Sequence, residues 1–206
     1  AFMNIVVLDG YTENPGDLRW DGLAALGALT VYDRTDPQDE GLIISRMAGA
    51  ELVFTNKVPI TRAAIDACPQ LRFIGVLATG YNIVDCAYAR EKGIPVSNVP
   101  CYSTSAVAQL VFAFILEHTN RVALHSEAVH GGEWSSCPNF CFWKSPLTEL
   151  QGKTIGIIGY GKIGKAVAKI AGAFGMDVLA NSRSAKVGDR DGEVRFVETD
   201  ELLEKS

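Results

Sequence analysis

Short apolar runs alternate with amphipathic segments along the chain, and this spacing predicts a succession of strands and helices. In the first part of the chain, the apolar runs predicted to be strands are residues 4–8, 29–32, 52–55, 71–77 and 94–97. The segments between them carry helical spacing or helix-capping residues, and these are residues 17–26, 37–49, 61–67 and 85–93. Such alternation indicates a doubly wound α/β unit with a parallel sheet.

A longer amphipathic segment follows this unit. Residues 103–130 carry a broad apolar face and predict one long helix that crosses to a second unit, with Ser103 or Thr104 as its cap. The irregular stretch 131–146 comes next, and it contains four large aromatic side chains: Trp134, Phe140, Phe142 and Trp143. These aromatics either pack against their own domain or form a subunit interface, where Trp and Phe are enriched.

The second unit repeats the α/β pattern over a shorter length. Its predicted strands are residues 154–158, 176–180 and 194–197, and its predicted helices are residues 162–174 and 200–205. Three strands correspond to one half of a Rossmann sheet, so the sequence is expected to be cut short. The predicted fold is therefore two doubly wound parallel-sheet units. A flavodoxin-like domain occupies residues 1–99, and a partial Rossmann domain occupies residues 100–206.

Composition and charge narrow the class of protein. With 206 residues, 48% of them hydrophobic and 21% charged, the chain can bury a sizeable core. The net charge of -5 gives no electrostatic reason to expect nucleic acid or an anionic membrane as partner. No run approaches the roughly 18 apolar residues of a membrane span, and the N-terminus does not have the basic region of a signal peptide. Five cysteines without framework spacing favour a reducing cytoplasm.

The strand predicted at residues 154–158 leads directly into a G-x-G-x-x-G turn, Gly159-Tyr160-Gly161-Lys162-Ile163-Gly164. In such a turn, Gly159 allows the tight bend, Gly161 lets the backbone approach a pyrophosphate, and Gly164 lets the helix pack on the strand. Because a strand precedes the turn and a helix follows it, these six residues predict a dinucleotide site. The alternatives are a purely structural turn or another nucleotide-like ligand.

The residues that determine the choice between NAD and NADP are expected at the end of the next strand. In an NAD site, an acidic residue about 20 positions past the glycines binds the ribose 2′-hydroxyl. Here Ser182 stands at that place and Arg183 follows it, and a guanidinium forms charge-assisted, forked hydrogen bonds to a phosphate. We therefore expect NADP as cofactor, with NAD or the use of both left open. Lys186 either assists or is a solvated loop charge.

Several longer motifs resemble one protein family. Residues 77–85, 93–100 and 102–108, together with the glycine turn and in this order, are similar to the D-isomer-specific 2-hydroxyacid dehydrogenases. Within the family, residues 54–59 and 139–143 look most like the glycerate dehydrogenases, also called hydroxypyruvate reductases. The resemblance implies a substrate domain first and a nucleotide domain second, with the substrate bound in the cleft between them.

The resemblance also implies roles for residues of the first domain. The backbone N–H groups of Leu77 and Ala78, in the loop that continues to Gly80, would bind the substrate carboxylate. Asn56 and Lys57 would face the same cleft, although Lys57 is equally well explained as a solvated loop charge. These five residues form the predicted substrate site.

Thr104 would lie beside the nicotinamide, or it would only cap the helix that it begins. With the six residues of the glycine turn, Ser182 and Arg183, it completes the predicted cofactor site.

No catalytic residue is assigned within this sequence. The resemblance implies a histidine, a glutamate and an arginine as catalytic groups, and in the family all three follow the part that ends here. The chain by itself is therefore expected not to turn over substrate. The three histidines that are present lie on the predicted long helix and suit packing better than proton transfer; they are His118, His125 and His130.

Metal binding is not expected either. Glu127 and His130 have the spacing of a carboxylate–histidine metal motif, but such a site needs a second copy, which the sequence does not contain. Cys137 and Cys141 lack the second Cys/His pair of a zinc site.

Taken together, the motifs and the resemblance predict an oxidoreductase. It would transfer a hydride between NAD(P)H and a small 2-keto acid, reducing hydroxypyruvate or glyoxylate to D-glycerate or glycolate, as a cytoplasmic homodimer. One alternative is a related dehydrogenase acting on lactate, phosphoglycerate or formate. A second is a dinucleotide-sensing binding protein on the same scaffold, and a third is a methyltransferase.

Overall fold

The structure is a computed structural model that describes residues 3–206. The chain divides into two compact units, Ala1–Tyr102 and Ser103–Ser206. Each unit has a largely parallel sheet covered by helices, which confirms the predicted fold class. The functional roles assigned to the two domains stay predictions.

The sheet of the first unit has five parallel strands. They are β1 (Met3–Val7), β2 (Gly27–Val31), β3 (Leu52–Thr55), β4 (Phe73–Val76) and β5 (Val96–Ser97). Their spatial order, β2-β1-β3-β4-β5, is the flavodoxin-like order predicted from the sequence. The central strands β1, β3 and β4 are largely buried, and strands of this kind form the apolar runs that are visible in the sequence.

Three of the α-helices of the first unit start where a side chain caps them. A 3₁₀ helix spans Gly10–Thr12, and the α-helices are α1 (Asp21–Ala24), α2 (Glu40–Met47), α3 (Arg62–Asp66) and α4 (Cys86–Glu91). Thr61 caps α3 by accepting from the Ala64 amide at 3.2 Å, and Asp85 caps α4 by accepting from the Tyr88 amide at 2.9 Å. Both caps are those that the sequence predicts.

The helix predicted over residues 17–26 is wrong in its first half. The side-chain oxygen of Asn14 accepts hydrogen bonds from the amides of Gly16, at 3.1 Å, and Leu18, at 2.9 Å. Asn side chains compete in this way with helical hydrogen bonding. The chain therefore turns through this segment, and only the four residues of α1 are helical.

The second unit has a four-stranded sheet in the order β6-β7-β9-β8. The strands are β6 (Thr154–Ile158), β7 (Asp177–Asn181), β8 (Arg190–Asp191) and β9 (Val194–Phe196). β6, β7 and β9 are parallel and correspond to the three predicted strands, whereas β8 pairs antiparallel with β9 in the expected loop. The signal for this hairpin is Gly192, the first of the two loop residues between Asp191 and Val194, since its φ of 59° favours glycine in a two-residue hairpin turn.

The long helix predicted over residues 103–130 is wrong. The structure has two helices, α5 (Thr104–Asn120) and α6 (Val122–His130), both within the second unit, separated by Arg121 in the left-handed conformation with φ 49°. The Glu117 carboxylate accepts from the Ala123 amide at 3.2 Å, so a side chain from α5 serves the free amides that begin α6. Ser103 precedes α5 but makes no capping hydrogen bond with its side chain.

The remaining helices are α7 (Glu133–Ser136), α8 (Lys162–Ala173) and α9 (Thr199–Lys205). α5 packs on α8, and the rings of Phe112 and Phe174 stack with their centroids 5.3 Å apart. Val167 and Ala171 of α8 are buried in the same core as Val178 of the sheet. This packing fixes the position of α8, whose N-terminus follows the glycine turn.

The aromatic stretch that follows α6 packs only partly against its own unit. Trp134 and Phe142 lie with ring centroids 6.0 Å apart, but Phe140 is 92% exposed and Trp143 is 70% exposed. Among the described residues, no helix is both long and apolar enough to cross a membrane.

Candidate functional site

The glycine turn joins the end of β6 to the start of α8. Gly159 has φ +96°, a conformation that L side chains rarely adopt, and its amide donates to the Asn181 carbonyl at 2.9 Å. A methyl group added at Gly161 would meet nothing within 4 Å, so the space above the turn is open. At Gly164, a methyl group would lie 2.5 Å from the Gly159 carbonyl oxygen. The backbone thus bends tightly at Gly159, leaves open space at Gly161 and packs closely against α8 at Gly164.

A cavity of about 470 Å³ lies between this turn and the end of β7. Its lining joins residues 158–161 to residues 181–184. The first amides of α8 have no acceptor one turn earlier in the helix, and they carry the positive end of the helix dipole. An anionic phosphate and a polar ribose fit these surroundings, because no side chain fills the space above Gly161.

Ser182 and Arg183 line this cavity at the carboxyl end of β7. The Ser182 hydroxyl lies 3.0 Å from that of Ser184, and the Ser184 amide donates to it at 3.4 Å. Arg183 is exposed and forms no ion pair with any residue that the structure describes. The cavity is thus bordered by a hydroxyl and an available positive charge, and no carboxylate lines it.

Tyr160 is the half-buried residue of the turn. Its ring packs edge-on against Phe196 at 5.1 Å, and the Lys165 ammonium lies 5.3 Å from its centroid. Burial, followed by the negative charge of Asp191, raises the pKa of the Tyr160 hydroxyl. The hydrogen bond to Asp191 raises the pKa of Lys165. The Tyr160 hydroxyl therefore stays protonated and uncharged where this residue lines the cavity.

The other predicted cofactor residues lie near the helix starts. Lys162 and Ile163 form the first turn of α8 and are exposed, and Thr104 is the first residue of α5. All three belong to the second unit, as do the glycines, Ser182 and Arg183.

In the first unit, Asn56 and Lys57 follow β3 and are held by a buried carboxylate. Asp9 accepts from the amide of Asn56 at 2.8 Å and from that of Lys57 at 2.6 Å. The Asn56 side chain in turn donates to the Glu13 carboxylate, whereas Lys57 is exposed without an ion pair among the described residues. Sequence reasoning missed Asp9, although a carboxylate directly after a buried strand was a signal that could have found it.

The loop after β4 differs from the expectation at Leu77. The Leu77 amide donates to the Thr55 carbonyl at 2.8 Å, because the pairing with β3 continues past the end of β4. This N–H therefore cannot bind a carboxylate, and its predicted role is wrong. The amides of Ala78 and Gly80 donate to no backbone carbonyl of the described chain, and Ala78 is buried.

Leu77 instead lines an apolar cavity of about 370 Å³ in the first unit. The cavity is bordered mainly by large side chains from the loop after β1 and from the end of the unit, among them Trp20, Val99 and Tyr102.

His125 connects the aromatic stretch to α6. Its Nδ1 lies 2.8 Å from the Arg121 carbonyl, and its Nε2 accepts from the Lys144 amide at 3.1 Å. Both nitrogens are engaged, so the ring holds the loop in place. Within residues 3–206, no group of three His, Cys, Asp or Glu side chains has the arrangement of a metal site.

Comparison with known proteins adds the evidence for a family. The sequence profile of the D-isomer-specific 2-hydroxyacid dehydrogenase catalytic domain matches residues 15–204. The chain belongs to this family. The resemblance inferred from the sequence motifs is thereby confirmed.

This member of the family is 53% identical over 204 residues to a hydroxypyruvate reductase from Blautia hydrogenotrophica, with 99% of this chain and 63% of that relative covered. Its structure is similar to an acyclic imino acid reductase in complex with NADPH and D-Arg (TM-score 0.74, 28% identity, 99% and 63% covered). It is also similar to a D-lactate dehydrogenase from Aquifex aeolicus complexed with NAD and lactic acid (TM-score 0.72, 27% identity, 98% and 58% covered). The chain thus spans less than two thirds of the length of these relatives.

Proposed function

We propose that this family member takes part in the reduction of a small 2-keto acid by a nicotinamide dinucleotide, with hydroxypyruvate or glyoxylate as substrate. The observation that carries the proposal is the open glycine turn before α8, which faces a cavity without a carboxylate. The relative named hydroxypyruvate reductase supports the choice of substrate, and the structural neighbours with NADPH and NAD support the cofactor.

In this proposal, residues 100–206 form the nucleotide domain. The amides that begin α8 bind the pyrophosphate, because they lie at the positive end of the helix dipole. Gly161 allows the close approach, Tyr160, Lys162 and Ile163 border the phosphates, and Thr104 lies beside the nicotinamide. A bound NADPH or NADH supplies the hydride that reduces the keto carbon.

Residues 1–99 form the substrate domain. The amides of Ala78 and Gly80 are available for a carboxylate because they donate to no backbone carbonyl, whereas Leu77 contributes only its side chain. Asn56 and Lys57 have their backbone fixed by Asp9, and Lys57 adds a positive charge for an anionic substrate. None of the histidines in this chain receives a proton-transfer role.

We further infer that NADP is preferred over NAD. Ser182 stands where an NAD-binding carboxylate is expected, and Arg183 has no ion pair within the described residues. Calorimetric titration of the chain with NADPH and NADH tests both the cofactor and this preference. Replacing Arg183→Ala is expected to weaken NADPH binding by about 1.5–3 kcal/mol, the contribution of a charged hydrogen bond, and to spare NADH. An equal loss for both cofactors would contradict this role, and absence of binding to either would contradict the dinucleotide site.

The substrate is tested by binding in the presence of NADP⁺. We expect hydroxypyruvate and glyoxylate to bind more tightly than pyruvate or phosphohydroxypyruvate when each is titrated calorimetrically. Lys57→Ala should weaken all anionic substrates by about 1 kcal/mol, because it removes an exposed charge, while the exposed Arg90→Ala serves as control. Tighter binding of pyruvate would favour the lactate alternative.

Two further properties belong to the proposal. We infer a homodimer, because the second unit exposes Leu110, Phe114, Phe140 and Trp143, and an exposed apolar surface of this kind is typical of subunit contacts. We also infer a cytoplasmic protein, because all five cysteines are free thiols, as expected in a reducing compartment.

A further inference from the structure

A second cavity, of about 350 Å³, adjoins the proposed dinucleotide site. It shares Tyr160, Ser182 and Ser184 with the first cavity. Its opposite wall is the hairpin of β8 and β9, which contributes Arg190 and Phe196. A ligand bound at the end of β7 can therefore extend into this second space, beyond the place of Ser182.

One of the two cations that line the second cavity has no ion pair within the described residues. The Lys165 ammonium pairs with the Asp191 carboxylate at 3.0 Å, and the Asp189 carboxylate accepts from the Lys186 amide at 3.0 Å. Arg190 forms no ion pair with any residue between 3 and 206. The Asp191 carboxylate is thus paired with a cation, and the Asp189 carboxylate keeps its charge but is held by a backbone amide. The guanidinium of Arg190 is the cation of this cavity that has no ion pair within the described residues.

The hairpin holds the backbone that leads into Arg190. The amide of Gly188 donates to the Phe196 carbonyl at 2.9 Å, and the amide of Phe196 donates to the Asp189 carbonyl at 3.0 Å. Phe196 also packs against Tyr160 of the glycine turn. A short antiparallel strand, rather than a mobile loop, therefore presents the guanidinium to this cavity.

We propose that Arg190 is a specificity-determining residue that binds the 2′-phosphate of NADP from the side opposite Arg183. This inference rests on the proposed dinucleotide function and adds a second cation to it. Arg183 lines the first cavity and Arg190 lines the second, and the two cavities share Ser182. A 2′-phosphate dianion bound beside Ser182, where the cavities adjoin, would therefore have a guanidinium group in each of them, and each can form forked hydrogen bonds. NADH has no group to occupy this space, so Arg190 discriminates between the two cofactors.

The test is calorimetric titration of the chain with NADPH and NADH, together with the ³¹P resonance of the 2′-phosphate. Arg190→Ala is expected to weaken NADPH binding at least about tenfold, to change NADH binding by less than about twofold, and to shift the bound 2′-phosphate resonance. Arg190→Lys should give an intermediate NADPH affinity, because a lysine keeps the charge but loses the fork. Lys169→Ala, which removes an exposed cation from α8, is the matched control and should leave both affinities unchanged.

The outcomes separate this inference from the proposed function. If the unsubstituted chain binds NADPH and Arg190→Ala binds it equally well, Arg190 has no role and the dinucleotide site stands. An equal loss of NADPH and NADH would likewise overturn the inference, since it would indicate a general disturbance. If the unsubstituted chain binds neither cofactor, the proposed function fails and this inference falls with it.

Discussion

Gly164 shows most directly how one residue controls the geometry of the candidate site. It is buried in the first turn of α8, and the place of its missing Cβ lies 2.5 Å from the Gly159 carbonyl oxygen. The neighbour is backbone, which cannot move aside as a flexible side chain can. The close approach of α8 to the turn, and hence the position of the helix amides, therefore depends on the absence of a side chain here.

We expect Gly164→Ala to lower the free energy of unfolding by about 1–3 kcal/mol, because the added methyl group overpacks the turn. NADPH binding should weaken as well, since the turn must shift away from α8. Chemical denaturation and calorimetric titration measure the two effects.

Gly172→Ala, in the same helix, is the matched control. A methyl group there meets nothing within 4 Å, so this change should raise stability by up to about 1 kcal/mol through helix propensity. Similar effects of the two substitutions would show that the close contact at Gly164 is unimportant.

At the scale of elements, α3 and α4 are joined by a charged cluster. The Tyr88 hydroxyl donates to the Asp66 carboxylate at 2.6 Å, and the Lys92 ammonium pairs with the same carboxylate at 2.6 Å. Arg62 lies over the Tyr88 ring, with its guanidinium carbon 4.3 Å from the centroid. The hydrogen bond from Lys92, and then that from Tyr88, lowers the pKa of Asp66, while the bond to Asp66 raises the pKa of Lys92.

The direction of these pKa shifts predicts a pH dependence of stability. The lowered pKa of Asp66 means that its contribution is present above its ordinary value of 3.8 and is lost as the pH falls through the lowered pKa. The raised pKa of Lys92 means that its contribution is present below 10.5 and is lost as the pH rises further. We therefore expect Lys92→Gln to lower the Tm by a small, constant amount between these limits.

Thermal denaturation from acid to neutral pH checks this expectation. Below the lowered pKa of Asp66, the two melting curves should coincide, because the protonated carboxyl no longer attracts Lys92. Lys169→Gln, an exposed lysine without an ion pair in the described chain, should match the unsubstituted protein at every pH. A Tm difference for Lys92→Gln that persists unchanged in acid would mean that the ion pair is not its cause.

At the scale of the whole molecule, the second unit exposes large apolar side chains that a monomer would leave in water. They lie on α5, on α6 and in the aromatic stretch that follows α6, and they include Leu110, Phe114, Val122, Phe140 and Trp143. A stable subunit contact buries about 800 Å² on each partner, so several large side chains must act together. The first unit has its own core and does not depend on this surface.

We expect light scattering after gel filtration to give a mass twice the 22.2 kDa of one chain. The double substitution Phe114→Ser and Phe140→Ser should give monomers, because it removes two exposed aromatic anchors at once. Leu203→Ser, an exposed apolar residue on α9 outside this surface, is the control and should stay dimeric. A monomeric unsubstituted chain would contradict the proposed homodimer.

Much of the architecture was determined by local sequence. The central strands β1, β3, β4 and β7 are largely buried and so appear as apolar runs. Thr61 and Asp85 cap their helices through hydrogen bonds to amides three residues away. The glycine turn was equally visible, because its conformation depends on residues that adjoin one another in sequence. The hairpin at Asp191-Gly192 had a local signal too, and it was overlooked.

Tertiary structure decided what depends on partners distant in sequence. The Leu77 amide is taken by Thr55, and the amides of Asn56 and Lys57 are held by Asp9, so strand pairing selects which N–H groups remain for a substrate. The long helix predicted from the sequence divides at Arg121, where no Gly or Pro gives a sequence signal for a helix end. Arg190 reached a cavity only because β8 pairs with β9. Periodicity and propensity describe local preferences, whereas these features follow from how separate elements meet.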